Sequence, residues 1–312
     1  MTHRKTTAVI GGGTMGVDIA LTLARAGNPT LLVEPDDARR ASLPARIAEG
    51  LRALGCPGKA DRISVHGSLE TLPWPAIDLV IEAVPENLAL KQRLFATIAP
   101  LARPDALLTS NSSSYPISAI ARGLPGAHRY LGLHYFMPAH LVPLVEVVCS
   151  GATDPTLARE LAAFIRSTGK VPVIVKRDLP GFLANRLQHA LAREAMALID
   201  GGVCTAEDVD AAVRFGFGFR YLAAGPLLQR DHAGLDVHAA AAATMYPDLA
   251  SNTVPSRAIT DRVAAGRHGM KTGGGFYDWT PEAIARERAR YERLLQAGLA
   301  LLEPELPKVS GD

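Results

Sequence analysis

The sequence predicts an α/β protein in which a doubly wound parallel sheet is followed by an all-helical C-terminal domain. Over the first half of the chain, short apolar runs alternate with helical stretches of about 10–20 residues, which is typical of βαβ units. A glycine-rich turn joins the first apolar run to the first helical stretch. From Gly181 onward the apolar residues recur almost wholly with the period of a helix. We therefore expect one sheet domain and one helical domain.

The elements follow from these patterns in chain order. Strands are predicted at the short apolar runs, namely residues 7–10, 30–33, 63–65, 78–84, 106–109, 130–133, 142–148 and 171–176. Helices are predicted from the glycine turn to Gly27 and then at residues 36–55, 88–99, 181–200, 205–214, 232–245 and 281–303. The last helix opens with Thr280 as a cap and Pro281 at its first position. The change of pattern at RDLPG predicts domains at 1–178 and 179–312.

Composition and charge exclude several classes of protein. The chain has 312 residues and is 48% hydrophobic, which is ample for a core and favours two domains. The 33 basic and 31 acidic residues give a net charge of +2, and no basic stripe indicates a nucleic-acid partner. No window reaches the roughly 18 apolar residues of a membrane span, and the first apolar run is too short for a signal peptide.

The cysteines indicate a reducing compartment. Cys56, Cys149 and Cys204 are scattered and lack C-x-x-C spacing, so neither a disulfide framework nor a metal site is predicted. We therefore expect a cytoplasmic protein that acts on a small molecule, with no nucleic-acid or membrane partner.

The glycine turn predicts a dinucleotide site. Gly11, Gly13 and Gly16 have G-x-G-x-x-G spacing between a strand and a helix, and Thr14 and Met15 lie within the same turn. The first glycine permits a tight turn, the second lets the backbone approach a pyrophosphate, and the third lets the helix pack on the strand. The N–H groups at the start of the helix then face the phosphates.

Glu34 predicts which dinucleotide binds. It stands 18 residues after Gly16, at the end of the second predicted strand. A carboxylate there accepts hydrogen bonds from ribose hydroxyls and repels a 2′-phosphate, so NAD is favoured over NADP. Arg39 and Arg40 follow in the next helix, where they either face solvent or oppose this preference. The alternative is a purely structural glycine turn with Glu34 at the surface.

His134 and Glu146 are candidates for proton transfer. They lie 12 residues apart. Oxidation of a hydroxyl by hydride loss also requires removal of its proton, which suits an imidazole oriented by a carboxylate. The alternative is structural, with His134 as a satisfied polar residue at a strand end and Glu146 paired with a core arginine. The two residues taken alone leave both interpretations open.

Seven motifs together resemble those of the L-3-hydroxyacyl-CoA dehydrogenase family. They occur in the family's order and cover nearly the whole chain: GGGTMG, VPENLALKQRLF (84–95), SNSSS (110–114), GLHYFMPAHLVPLVEVV (132–148), DLPGFLANRLQ (178–188), GPLLQRDHAGLD (225–236) and GMKTGGGFYDW (269–279). The resemblance implies a Rossmann-type NAD-binding domain and an all-helical C-terminal domain through which the protein forms a homodimer. It also makes His134 the general base in oxidation, with Glu146 as its charge partner.

The resemblance assigns further roles to residues of this chain. Ser113 would hydrogen-bond the reacting oxygen near the nicotinamide, and Asn185 would complete the polar cluster around the substrate. Glu86 and Lys91 would contact the ribose on the nicotinamide side, and Lys271 would reach the cofactor from the C-terminal domain. Each has a structural alternative, such as a loop serine, an asparagine that caps or bridges helices, or a solvated lysine.

The chain departs from the family pattern in ways that affect its substrate. Met137 stands where the family has an asparagine beside the cofactor, and a thioether is only a weak acceptor. The helical stretch between Glu34 and Asp78 is shorter than in members where it forms a clasp over CoA. The segment RFGFGFRY (214–221) includes Arg220, and a guanidinium suits a free carboxylate.

The resulting expectation is NAD-dependent oxidation of a (3S)-3-hydroxyacyl-CoA to the 3-oxoacyl-CoA, as in fatty acid metabolism. The first alternative is a dehydrogenase of a free 3-hydroxy acid, with a gulonate-, carnitine- or pyridine-carboxylate-like substrate. The second is a nucleotide-binding protein with a structural or sensing role and no turnover. The sequence leaves the acyl length, the physiological direction and any partner enzyme open.

Overall fold

The computed structural model describes residues 4–309, which contain an eight-stranded sheet of order β3-β2-β1-β4-β5-β6-β7-β8. Its strands are β1 (Thr7–Ile10), β2 (Thr30–Val33), β3 (Ile63–His66), β4 (Leu79–Glu82), β5 (Leu107–Ser110), β6 (Tyr130–Tyr135), β7 (Leu144–Cys149) and β8 (Val171–Val175). All eight overlap the predicted apolar runs. Neighbours pair in parallel except β6 and β7, which pair antiparallel.

Twelve α-helices accompany the strands in the described part of the chain. The sheet region holds α1 (Thr14–Arg25), α2 (Asp37–Ala53), α3 (Leu88–Ile98), α4 (Ile117–Ile120) and α5 (Pro155–Ser167). The remainder are α6 (Ala184–Asp200), α7 (Ala206–Ala212), α8 (Gly218–Arg220), α9 (Pro226–Ala233), α10 (Leu235–Met245), α11 (Arg257–Ala264) and α12 (Pro281–Leu302). The predicted fold class, a Rossmann-type sheet followed by an all-helical region, is confirmed.

Side chains that alternate along the strands build a core on each face of the sheet. Val9 of β1 packs in one core together with apolar residues of α1, α2 and α5. Its neighbours Ala8 and Ile10 pack in the other core with residues of α3 and α4. Successive side chains of a strand point to opposite faces, so a strand covered on both faces is apolar throughout. This is why the strands read as continuous apolar runs.

Several helices differ from the prediction. The pattern did not predict α4, α5, α8, α9 or α11, and the helix predicted at 232–245 corresponds to α10, which begins at Leu235. Gly234 separates α9 from α10, because its φ of +94° cannot continue a helix. Val213–Phe217 form a π-helical segment that follows α7.

The chain divides into two compact units. The first comprises the residues up to Arg186 together with those from Pro304 onward. In the latter segment Val309 forms an antiparallel β-bridge with Thr168. The second comprises Leu187–Glu303. The boundary expected after residue 178 stays a prediction. Within residues 4–309 no helix is both long and apolar enough to cross a membrane, and no group of three or more potential metal ligands occurs.

Candidate active site

The glycine turn forms a cradle at the carboxyl end of β1. Gly11 has φ +115°, and a Cβ there would lie 2.6 Å from the carbonyl oxygen of Ala83. A Cβ at Gly16 would lie 1.8 Å from the carbonyl oxygen of Gly11, so a side chain would separate helix and strand. At Gly13, by contrast, a Cβ would meet nothing within 4 Å. The backbone of Gly13 therefore faces open space, as approach of a pyrophosphate to the α1 N-terminus requires.

A cavity of about 770 Å³ lies along this turn. Its volume is in the range of small-molecule and cofactor sites. Its lining includes most of the residues expected to bind the dinucleotide: Gly11, Gly13, Thr14, Met15, Glu34 and Met137. The open cradle and the adjoining cavity fit NAD.

Glu34 is only 2% exposed, and the chain itself engages its carboxylate. Oε2 accepts hydrogen bonds from the Gly12 amide and from Arg39 Nη1, both at 3.1 Å, while Oε1 accepts from the Asp36 amide at 3.0 Å. Arg39 lines the same cavity. The carboxylate is thereby fixed at the end of β2, where it presents negative charge to the cavity, and one guanidinium balances that charge.

Gly12 belongs to the same site, although it was not among the residues predicted from the motif. A Cβ there would lie 2.8 Å from Glu34 Cβ and 3.0 Å from Leu43 Cδ1. Glycine at this position therefore allows Glu34 to approach the turn closely enough to accept the Gly12 amide. The available signal was a third consecutive glycine at a position that G-x-G-x-x-G leaves unspecified.

His134 and Glu146 stand directly opposite each other in the antiparallel ladder of β6 and β7. His134 Nδ1 lies 2.8 Å from Glu146 Oε2, and both side chains are at most 3% exposed. A carboxylate only accepts hydrogen bonds, so Nδ1 carries the proton and Nε2 of the neutral ring is the acceptor. On that side, Ser113 Oγ lies 3.1 Å from Nε2. The structure thus brings together three residues that the sequence analysis assigned to catalysis.

The second oxygen of Glu146 is held by the start of α6. Oε1 accepts hydrogen bonds from the amides of Leu183 at 3.0 Å and Ala184 at 2.8 Å. Burial raises the pKa of Glu146, but the hydrogen bonds from His134 and these two amides outweigh it, so the pKa lies below its usual value. Phe182, immediately before these amides, has φ +52° and its ring centroid is 5.7 Å from that of His134. No pattern in the sequence indicated this role of Phe182.

The SNSSS run supplies the loop after β5, and its side chains have separate partners. Ser110 Oγ donates to Glu82 Oε2 at 2.5 Å, and Asn111 Oδ1 accepts the amide of Tyr135 at 2.8 Å. Asn185 Nδ2 donates to the carbonyl of Ser113 at 3.3 Å, so Asn185 contacts the serine loop. The loop therefore connects β4, β6 and α6 at one edge of the sheet.

Glu86 and Lys91, expected beside the cofactor, join an ionic cluster behind the serine loop, in which Glu86 is partly exposed. Lys91 Nζ lies 2.7 Å from Glu82 Oε1 and 3.1 Å from Glu86 Oε2. Glu82 is fully buried and Lys91 is 1% exposed. Glu82 was not among the predicted site residues, because a glutamate at the end of an apolar run has no motif of its own. The contact of Glu86 and Lys91 with the cofactor stays a prediction.

Two other predicted residues lie in the second unit. Lys271 is exposed, in the glycine-rich segment after α11. Arg220 lines a cavity of about 300 Å³ within that unit, together with Phe217, Tyr221, Pro226, Gln229 and Arg230. This cavity has two guanidinium groups and no carboxylate among its lining residues.

Comparison with protein families identifies two matches. The profile of the 3-hydroxyacyl-CoA dehydrogenase NAD-binding domain matches residues 6–179. The profile of the 3-hydroxyacyl-CoA dehydrogenase C-terminal domain matches residues 181–279.

Individual relatives fall into two groups. The 5-formyl-3-hydroxy-2-methylpyridine 4-carboxylate 5-dehydrogenase of Mesorhizobium japonicum is 34% identical over 291 residues, covering 91% of this chain and 94% of the relative. The 3-hydroxyadipyl-CoA dehydrogenase of Escherichia coli is 37% identical over 296 residues, covering 91% of this chain and 61% of that longer protein.

Two solved structures are similar to the chain over most of its length. A 5-formyl-3-hydroxy-2-methylpyridine 4-carboxylic acid 5-dehydrogenase, described as an NAD⁺-dependent dismutase, is similar with a TM-score of 0.88 and 30% identity over 96% and 99% of the two chains. The 3-hydroxybutyryl-CoA dehydrogenase of Escherichia coli K12 is similar with a TM-score of 0.73 and 34% identity over 89% and 60% of the chains.

Proposed function

The chain belongs to the 3-hydroxyacyl-CoA dehydrogenase family and is an NAD-dependent oxidoreductase, and from this premise we propose that His134 is the general base that removes the proton of a substrate hydroxyl during its oxidation. The observation that carries the proposal is the pair of hydrogen bonds on the His134 ring, to Glu146 through Nδ1 and to Ser113 through Nε2. NAD, held at the glycine cradle, supplies the hydride acceptor.

The residues around His134 suit removal of a hydroxyl proton. Nε2 is the acceptor atom of the neutral ring, so it takes the proton of a substrate hydroxyl placed beside Ser113 Oγ. The ionised Glu146 then stabilises the imidazolium through Nδ1–H. Because both side chains are buried, this charge pair is stronger than it would be in water. In the reverse direction His134 returns the proton to the carbonyl oxygen.

For the substrate, we favour a small molecule with a free carboxylate over an acyl-CoA. The similarity to the pyridine-carboxylate dehydrogenases extends over at least nine-tenths of both chains, and the TM-score of 0.88 exceeds the 0.73 of the hydroxybutyryl-CoA enzyme. Between Glu34 and Asp78 the structure contains a single α-helix, α2, which is followed by short 3₁₀ turns and β3. Arg220 and Arg230 give the second unit a cavity suited to a carboxylate.

A (3S)-3-hydroxyacyl-CoA is the second candidate. Both family profiles and the 3-hydroxyadipyl-CoA relative favour it. The proton-transfer chemistry would be the same, because only the group that carries the hydroxyl differs.

A substrate panel at alkaline pH separates the two candidates. The panel contains 3-hydroxybutyryl-CoA, gulonate, carnitine and a hydroxymethylpyridine carboxylate, with NADH formation followed by absorbance. We expect turnover of a free carboxylate and none of 3-hydroxybutyryl-CoA. Turnover of the acyl-CoA alone would establish the second candidate.

Met137→Asn tests the departure at the cofactor cavity. Met137 is 66% exposed and lines that cavity. Restoring an amide adds a donor and an acceptor there, so activity toward 3-hydroxybutyryl-CoA should rise by about tenfold. Steady-state kinetics of both proteins with each substrate measure the effect. No gain on the acyl-CoA would mean that Met137 does not determine the choice of substrate.

We also propose a homodimer formed through the helical unit. Phe215, Phe219, Leu227 and Leu235 are all more than 60% exposed in the single chain. Such large apolar side chains in one region are typical of a protein interface. Light scattering coupled to gel filtration should give twice the mass of the chain, and a monomer at micromolar concentration would refute the proposal.

A further inference from the structure

We propose that Glu86, anchored by the buried Lys91, is a positioning residue that holds the loop Ser112–Ser114 and thereby sets the Ser113 hydroxyl against His134. The inference rests on the proposed function, because it assigns a role within the same site. It differs from the cofactor contact expected for Glu86 from the sequence.

The serine loop has no backbone hydrogen bonds of its own to hold it. The amides of Ser113 and Ser114 both donate to Glu86 Oε1, at 3.2 and 3.1 Å. The amides on either side, of Ser112 and Tyr115, donate to the hydroxyls of Ser110 and Ser112. Four consecutive amides thus depend on side-chain acceptors, so the conformation of the loop follows the position of those side chains.

Glu86 is the main acceptor. Besides the two amides, Oε1 accepts the hydroxyls of Ser112 at 2.6 Å and Ser114 at 2.7 Å. Oε2 pairs with Lys91 Nζ at 3.1 Å. Four donors at one oxygen and a cation at the other hold the carboxylate in a defined position. Burial raises the pKa of Glu86, but these hydrogen bonds and the Lys91 charge outweigh it and bring the pKa to about 2, so the group stays ionised.

Lys91 gives Glu86 a fixed position. Its ammonium lies between Glu86 and the fully buried Glu82, and it also lies 3.4 Å from the carbonyl of Val84. Glu82 in turn accepts the Val84 amide and the Ser110 hydroxyl, at 2.8 and 2.5 Å. The anchor is therefore built on the end of β4 and on α3, where Glu82 and Lys91 are buried. The loop that it holds carries the Ser113 hydroxyl, which lies 3.1 Å from His134 Nε2.

A double-mutant cycle tests whether Glu86 acts through Ser113. Glu86→Gln keeps the shape of the side chain, and Ser113→Ala removes the hydroxyl. We expect Glu86→Gln to lower kcat about tenfold or more, with the Kd for NADH changed by less than about twofold. In the Ser113→Ala background the same substitution should lower kcat by less than about twofold further. Glu49→Gln, at an exposed position of α2, is the matched control.

The outcomes separate the possible roles. An unchanged kcat with a Kd for NADH raised about tenfold would make Glu86 a cofactor contact and overturn the proposal. Fully additive losses in the double mutant would overturn it as well, since they would mean that Glu86 acts independently of Ser113. If Glu86→Gln does not fold, Ser114→Ala is used instead, because it removes one donor to Glu86 Oε1 without altering charge. It should lower kcat about threefold alone and have no effect in the Ser113→Ala background.

A measurement without turnover distinguishes failure of this inference from failure of the proposed function. The ¹⁵N chemical shift of His134 Nε2, assigned by its absence in His134→Gln, should change in Glu86→Gln in the same direction as in Ser113→Ala. An Nε2 signal that stays at the wild-type position in Glu86→Gln would overturn the positioning role. Absence of wild-type turnover on the whole panel would instead refute the proposed function and leave this readout intact.

Discussion

His134 has a hydrogen-bond partner on each ring nitrogen, and this defines its chemistry at the scale of a single residue. Glu146 fixes the tautomer by accepting a hydrogen bond from Nδ1, and the hydroxyl of Ser113 lies beside Nε2. Phe136 and Phe182 pack around the ring, with centroids 4.4 and 5.7 Å away. The imidazole is therefore oriented before substrate binds.

Replacement of His134 should abolish most activity without loss of cofactor binding. His134→Gln keeps a polar side chain but has no group that can take a proton at neutral pH, so kcat should fall about a hundredfold or more. The Kd for NADH should stay near the wild-type value, because the glycine cradle is untouched. His128→Gln, in the 3₁₀ turn before β6, is the control. A loss of only about tenfold would remove His134 from the role of base.

At the scale of elements, the site lies where neighbouring strands end. Glu82 ends β4, Ser110 ends β5 and His134 is the penultimate residue of β6. Carboxyl ends of parallel strands meet at one edge of a sheet, which is where open α/β sheets bind ligands. The antiparallel β7 then supplies Glu146 directly opposite His134. The buried Lys91 of α3 neutralises part of the acidic charge gathered at this edge.

Removal of the Lys91 ammonium should destabilise the fold strongly. Lys91→Met keeps most of the side-chain volume but leaves the buried Glu82 and the adjacent Glu86 without a cation. The free energy of unfolding should fall by about 3–5 kcal/mol, the usual consequence of breaking a buried ion pair from one side. Urea denaturation measures it, with the exposed Lys176→Met as control. A loss similar to that of the control would mean that the cluster is not desolvated in solution.

At the scale of the whole sheet domain, a second buried lysine ties a loop to the core. Lys170 Nζ donates to the carbonyls of Ala139 and Val142, at 2.6 and 2.8 Å. The amide of Ala139 in turn donates to Asp18 of α1 at 3.1 Å. These contacts hold the segment after Met137, and thus one wall of the cofactor cavity, against the rest of the sheet domain.

Lys170 should make stability depend on pH. Burial, aided by the charge of Arg25 and opposed by that of Asp18, lowers the pKa of Lys170 to about 7 from the usual 10.5. Between these two values the unfolded chain holds a proton that the folded chain has lost, so the free energy of unfolding rises with pH. Below about pH 7 both states are protonated, and the folded state bears the full cost of the buried charge.

The test compares wild type with Lys170→Met in urea from pH 7 to pH 10. The stability of the wild type relative to the variant should increase over this range by on the order of 3 kcal/mol. For Lys176→Met, at an exposed position, the free energy of unfolding should change with pH as it does in the wild type. A constant difference between wild type and Lys170→Met would mean that Lys170 has its usual pKa in the folded protein.

Local patterns in the sequence were sufficient for the strands, most helices and the glycine cradle. These follow from the period of apolar residues and from a short motif, which report the conformation of a segment and the face it buries. The roles of His134 and Glu146 were expected only from the family resemblance of seven motifs. The tertiary structure was needed for Gly12 against Glu34, for the amides after Phe182 that hold Glu146, and for Glu82 and Glu86 behind the serine loop. Each of these contacts joins residues that are 22 or more positions apart in the sequence. Such contacts depend on which strands pair and in what register, and no local period encodes that choice.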